Sequence, residues 1–364
     1  MWLERVCQQL DRPYPPCYTS SMPKPQNAPD PHLETDIWRW LLFESGLSRR
    51  QAKSLILQNA QSSALSLFWQ AGPETFVRQL GLDGEEATRV GTAMNRWATL
   101  QARWQVERSA GLHSLRINEP GYPATLNRHL PAEQRPLLLF FRGEPGLLDL
   151  PFILPLADTT VREEVATWAL ETLAELTAEG ALALFIAQPG LNARLVKAFL
   201  AAELPFALVI PQGLAAYEPP ASLKQALTSE RVLLISPFQP EWHPPETGDN
   251  PFLPHAQTFA RALAHALLTL TSLQTPPHPQ QPCFQPPTTA AIEHAEPYLG
   301  PETLFLRLAE ISMAPSLPQS SPVSPRPEPD LEPISPEAIL ETLSLGGHIP
   351  PALAARIRGK KGQA

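Results

Sequence analysis

Apolar residues between positions 33 and 109 recur at helical spacing. Leu33, Ile37, Trp40, Leu41 and Leu42 are followed by Ala52, Leu55, Ile56 and Leu57, then Ala64, Leu65, Phe68 and Trp69. Phe76, Val77, Leu80 and Leu82 come next, and Val90, Met94 and Trp97 close the series. Breaks at Gly46, Gly72 and Gly81 to Gly84 divide the stretch into about five short helices. Ser48, just ahead of Arg49-Arg50-Gln51, suits an N-cap. From 151 the pattern changes. Continuous apolar runs at 152–156, 181–186, 206–210 and 232–235 read as strands, and the stretches 162–179, 193–202, 220–229 and 258–270 as helices. That alternation predicts parallel strands joined by crossover helices, in a sheet covered on both faces. Between the two regions, 110–150 reads as a connector, with a strand over 136–143 ending at Gly143.

Composition changes the picture at both ends. The chain has 44 prolines among 364 residues, too many for helix and strand interiors, so long irregular segments are expected. They concentrate in 1–32, expected as a disordered lead, and in 273–335, expected as a linker with one helical interlude near 302–311. A last patterned piece, 336–364, reads as a short helical segment with a basic tail of Arg356, Arg358, Lys360 and Lys361. The formal charge of -8 argues against a strongly basic DNA clamp. Cys7, Cys17 and Cys283 are odd in number and show no CxxC spacing, which disfavours a disulfide framework or a zinc site and fits a reduced cytoplasmic setting. No apolar run approaches the roughly 18 residues of a membrane span.

Several short motifs follow one another in a recognisable order. A helical region around Ser45-Gly46-Leu47-Ser48 and Gln79-Leu80-Gly81-Leu82 comes first, then Tyr122-Pro123-Ala124-Thr125-Leu126. Leu138-Leu139-Phe140-Phe141-Arg142-Gly143, Gly213-Leu214-Ala215-Ala216-Tyr217-Glu218-Pro219 and Leu234-Ile235-Ser236-Pro237-Phe238 complete the series. Over about 34–265 this order resembles the DprA/Smf family of DNA-processing proteins. The resemblance implies a degenerate Rossmann-like sheet, doubly wound and mostly parallel. A small all-α domain of SAM/helix-hairpin-helix type would precede it. It also implies a non-enzymatic protein that binds single-stranded DNA, loads a RecA-type recombinase during DNA-mediated transformation, and pairs with itself through the α/β domain. The chain departs from the family pattern where anions would be held. Leu154 to Thr160 lacks the Gly and Arg of the family's first phosphate turn. The second turn keeps only Gly190 and an amide, Asn192. His255 and Gln257 stand where the family carries arginines.

Candidate residues follow from both lines of reasoning. Asp158, Thr159 and Thr160 precede a helix and suit either an N-cap or hydroxyl contacts to an anion. Gly190 and Asn192 suit a strand-to-helix turn or ligand contact, and His255 and Gln257 complete these degenerate phosphate-turn positions. For DNA the cations are Arg142, Arg194 and Lys197 in and near the α/β domain, and Arg49, Arg50 and Lys53 in the helical domain. Each also reads as ordinary surface. Trp97 and Trp104 suit base stacking or a helix core. Ser236, His243 and Asp249 would make a triad only with a GxSxG elbow, which is missing. The spacing of His255 and His265 suits no common metal site. No catalytic residue, metal or cofactor is expected. Two alternatives stand beside DNA binding: a scaffold that has shed it, and a nucleotide-cleaving enzyme on a similar sheet.

Overall fold

The computed structural model describes residues 32–60, 64–82, 84–157, 160–245, 249–273, 275–287 and 291–313. The expectations for the lead through 31 and for 314–364 lie outside the described residues. Helices α1 (Leu33–Phe43), α2 (Arg49–Asn59), α3 (Ala64–Gln70), α4 (Pro73–Gln79), α5 (Gly84–Met94) and α6 (Trp97–Ser109) form the first layer. Ser48 begins α2 with a capping box: its hydroxyl accepts from the Gln51 amide and Gln51 Oε1 accepts from the Ser48 N–H. The helices close on an aromatic chain, with ring centroids 5.2 Å apart for Trp40 and Trp69, 4.2 Å for Trp69 and Trp97, and 5.8 Å for Trp97 and Trp104. The two tryptophans considered for base stacking therefore belong to the helical core.

The rest is one sheet. Its strands are β1 (Leu112–Arg116), β2 (Leu138–Gly143), β3 (Phe152–Leu156), β4 (Leu182–Ile186), β5 (Phe206–Val209), β6 (Val232–Ser236), β7 (Ala266–Thr269), β8 (Cys283–Gln285) and β9 (Glu296–Pro297). Helices α7 (Ala124–His129), α8 (Glu163–Ala178), α9 (Leu191–Ala201), α10 (Ala221–Thr228), α11 (Leu253–Leu263) and α12 (Pro301–Met313), with a short 3-10 turn over Pro145–Asp149, complete the described elements. The strand order is β1-β2-β6-β5-β4-β3-β7-β8-β9. From β6 to β9 neighbours run parallel, whereas β2 pairs antiparallel with both β1 and β6. Side chains alternate between two cores. Phe185, Phe206 and Leu208 face Leu173 of α8, Leu195 and Phe199 of α9 and the helical layer. Leu184, Ile186, Val209 and Ile235 face Leu126 of α7 and Phe259 and Leu263 of α11. This is the doubly wound, mostly parallel sheet that the alternation of strands and helices implies.

Three stretches differ from the sequence reading. The helix expected over 258–270 ends at Leu263, and Ala266–Thr269 is a strand between β3 and β8. Its residues are buried on both faces, and a four-residue apolar run carries no period that separates strand from helix. The connector supplies two strands and a helix: Tyr122 Oη donates to the Pro136 carbonyl at 2.7 Å, and Thr125 Oγ1 to the Leu263 carbonyl at 2.9 Å, which seats α7 against α11. The described part of the linker adds β8, β9 and α12 to the sheet's far margin. Phe284 and Leu304 are fully buried there, and Gln281 Nε2 donates to the Arg261 and Ala264 carbonyls at 2.7 and 2.8 Å. Proline density misleads because an edge strand tolerates the missing N–H of Pro297.

Two histidines beneath the sheet make stability pH-dependent. His129 Nδ1 lies 3.0 Å from the Ala262 carbonyl, and His265 Nδ1 accepts the Phe152 N–H at 3.0 Å. Burial holds both imidazoles neutral and pushes each pKa down to about 4. Between the usual value near 6.5 and about 4, the unfolded chain binds more protons than the folded one. Stability is therefore full above about pH 6.5 and falls with pH toward 4, by up to about 1.4 kcal/mol per pH unit per histidine. Urea unfolding at about pH 7 and pH 5 measures this, and His129→Gln with His265→Gln should flatten the dependence. An equal slope in wild type and the double variant would refute it.

Candidate nucleic-acid interface

The parallel strands all end along one edge, and the chain order reverses between β3 and β7. Ligands of open α/β sheets bind in the crevice at such carboxyl ends. Asp158 and Thr159, which follow β3 in the sequence, lie outside the described residues. After β4, Gly190 stands at the N-cap of α9 with φ 85°. Asn192 is buried, and its Oδ1 accepts the Ile186 N–H at 3.0 Å, so its amide closes the turn. Arg194 is exposed and holds both oxygens of Glu163 at 2.7 Å. Lys197 lies exposed one turn further along α9. His255 and Gln257 begin α11, and Gln257 Nε2 donates to Gln188 Oε1 at 2.9 Å, tying α11 to the turn before Gly190. The fold thus brings Gly190, Asn192 and Gln257 to one edge, with His255 at the start of α11 and Arg194 and Lys197 further along α9.

The other cations stand elsewhere. Arg142 pairs on β2 with Leu234 of β6, one strand in from the sheet's antiparallel end and with three strands between it and β3. Its side chain is half-buried, Nε has no hydrogen-bond partner among the described residues, and burial lowers its pKa, against which Glu218 and Glu107 act. Lys53 Nζ donates to the carbonyls of Ala132, Glu133 and Arg135 at 2.9, 2.8 and 3.2 Å. All three ammonium protons fasten α2 to the segment ahead of β2, and burial lowers this pKa too. Arg49 and Arg50 are exposed in the first turn of α2. Ser236 is buried, donates to the Gln212 carbonyl at 2.7 Å and accepts the Phe238 N–H at 3.2 Å, so its hydroxyl braces two loops.

Two groups at this edge were not assembled from the sequence, which offered only His255, Trp104 and Arg103 singly. The first is aromatic. After β6, Phe238 lies 5.8 Å from Trp242 and 5.5 Å from Phe252, Trp242 lies 3.7 Å from Phe252, and His255 stands 6.2 Å beyond. The second is ionic. Arg39 of α1 reaches Glu107 of α6 and Glu241 of the loop after β6, each at 2.7 Å, with Trp104 beneath its guanidinium at 4.8 Å. Arg103 adds a contact to Glu241 at 2.8 Å and one to Glu44 at 3.3 Å. Burial raises the Glu107 pKa, and Arg39 opposes that. The available signal was only a loop rich in aromatic residues after a strand's carboxyl end.

The architecture matches known structures. DNA processing protein A from Streptococcus pneumoniae superposes with a TM-score of 0.52 at 14% identity, over 74% of this chain and 97% of that one. DNA processing protein A from Helicobacter pylori, described for its single-stranded DNA binding mode, gives a TM-score of 0.41 at 14% identity, over 55% of this chain and 96% of that one. The first of these shows a DprA-like fold. No family model and no curated protein matches the chain.

Proposed function

We propose that this chain is a non-enzymatic DNA-processing protein that binds single-stranded DNA along the carboxyl edge of its parallel sheet. Loading of a RecA-type recombinase in DNA-mediated transformation, in the cytoplasm, and self-pairing through the α/β domain belong to the same reading. The observation that carries it is the fold shared with nearly the whole of DNA processing protein A from Streptococcus pneumoniae. The edge supports it with Arg194 and Lys197 on α9, about one and two turns past Gly190. Glu163 offsets Arg194, and the net charge is -8, so binding is weak and falls as salt rises. Converting Arg194 and Lys197 to Ala should weaken binding and flatten the log–log salt slope by about one to two phosphates, each worth about -0.7 on a single strand. Anisotropy titration at two salt levels reads this. Unchanged binding in the double variant would move the site to Arg49 and Arg50. One observation favours a scaffold without DNA binding: the edge groups already pair with each other, Arg194 with Glu163 and Gln257 with Gln188.

A further inference from the structure

We propose that Phe238, Trp242 and Phe252, with His255 at the rim, form a platform on which nucleobases of single-stranded DNA stack. The inference rests on the DNA reading above and adds what supplies its binding energy. The cluster of Phe185, Phe199 and Phe206, by contrast, lies wholly in the core, with all three rings fully buried. Phe238, Trp242 and Phe252 are partly exposed, and His255 is exposed. They stand after the carboxyl end of β6 and at the start of α11, where a sheet of this type receives ligands.

The loop is built to hold these rings still. The Trp242 carbonyl accepts the Gly213 N–H at 2.7 Å, and the Pro240 carbonyl accepts the Ala215 and Ala216 amides at 2.9 and 3.0 Å. A Cβ on Gly213 would lie 2.2 Å from the Gln239 and Pro240 carbonyl oxygens, so only glycine admits this approach. Asn250 Nδ2 donates to the Pro211 carbonyl at 2.8 Å, and its Oδ1 accepts the Phe252 N–H at 3.0 Å. Arg39 and Arg103 clamp Glu241, next to Trp242. Partly exposed rings fixed in this way meet a ligand with little ordering left to lose.

The chemistry of the edge selects the ligand. Amides and an imidazole stand at His255, Gln257 and Gln188, so phosphate charge finds few fixed cations there. Every base offers a π-face whatever the sequence, and stacking needs no charge. The Gln257–Gln188 bond joins the platform's helix to the turn that leads into α9, which carries Arg194 and Lys197 on the other face of the sheet.

The test uses the intact chain and two probes of equal length, an oligothymidine strand and an abasic strand that keeps its phosphates. Wild type should bind oligothymidine more tightly, by about 5- to 150-fold for each stacked base. Trp242→Ala should bring oligothymidine down toward the abasic strand and leave abasic binding unchanged, and Trp242→Tyr should restore most of the difference. Equal affinity of wild type for both probes would overturn the platform and leave the DNA reading standing. Equal weakening of both probes by Trp242→Ala would also overturn it, by giving the ring a structural role only. Failure of wild type to bind either probe would overturn both readings.

Discussion

Replacing Gly143 by Ala should cost more than about 4 kcal/mol, a loss reserved for changes that force the backbone apart. The residue ends β2 with φ 116°, a conformation that side chains resist. A Cβ there would sit 2.0 Å from the Val232 carbonyl oxygen and 3.1 Å from its carbon. Both atoms belong to β6, which pairs with β2 through Gly143 and Leu233, so no flexible side chain can yield. The whole antiparallel margin, β1 and β2, depends on that register. Gly91 in α5 is the matched control: nothing lies within 4 Å of its Cβ position, and Gly91→Ala should be neutral or gain up to about 1 kcal/mol. Urea unfolding of the two variants measures the contrast. Equal midpoints would contradict the close approach at Gly143.

Arg39→Ala should lower stability by about 3 kcal/mol, near the lower end for breaking a buried pair. The arginine is 7% exposed and joins α1, α6 and the loop after β6 through Glu107 and Glu241. Its removal leaves two carboxylates facing each other in a partly dry site, with Arg103 as the remaining cation. Most of the cost is this uncompensated charge, so Arg39→Ala with Glu107→Ala should recover a substantial part of it. A double-mutant cycle by chemical denaturation reads the coupling. Strict additivity of the two single changes would show that the pair is not coupled in the folded chain.

The elements legible in the sequence are those with a clear period. Strands β3 to β6 announce themselves as apolar runs, and α8 to α10 as amphipathic stretches between them. Ser48 was legible as a cap because the signal is local. β7 was hidden because Ala266–Thr269 is buried on both faces, and β9 because Pro297 sits in a margin strand. At the candidate site the turn at Gly190 and the cations Arg194 and Lys197 were legible from spacing. What each side chain does there was not. Arg194 meets Glu163 across 31 positions, and Lys53 meets the Ala132 carbonyl across 79. Such partners are set by packing and leave no mark in local composition. Phe238, Trp242 and Phe252 come together only because the loop after β6 folds down onto Gly213, among prolines that carry no period.

The central claim, a single-stranded DNA surface on a DprA-like fold, meets its most direct test in an anisotropy titration of the intact wild-type chain. The probe is a labelled strand of about 50 nucleotides, long enough for several site sizes. The expected result is saturable, weak binding at low salt that falls as salt rises, with duplex DNA of the same length bound less well. No binding at low salt would contradict the claim and leave the scaffold reading in its place.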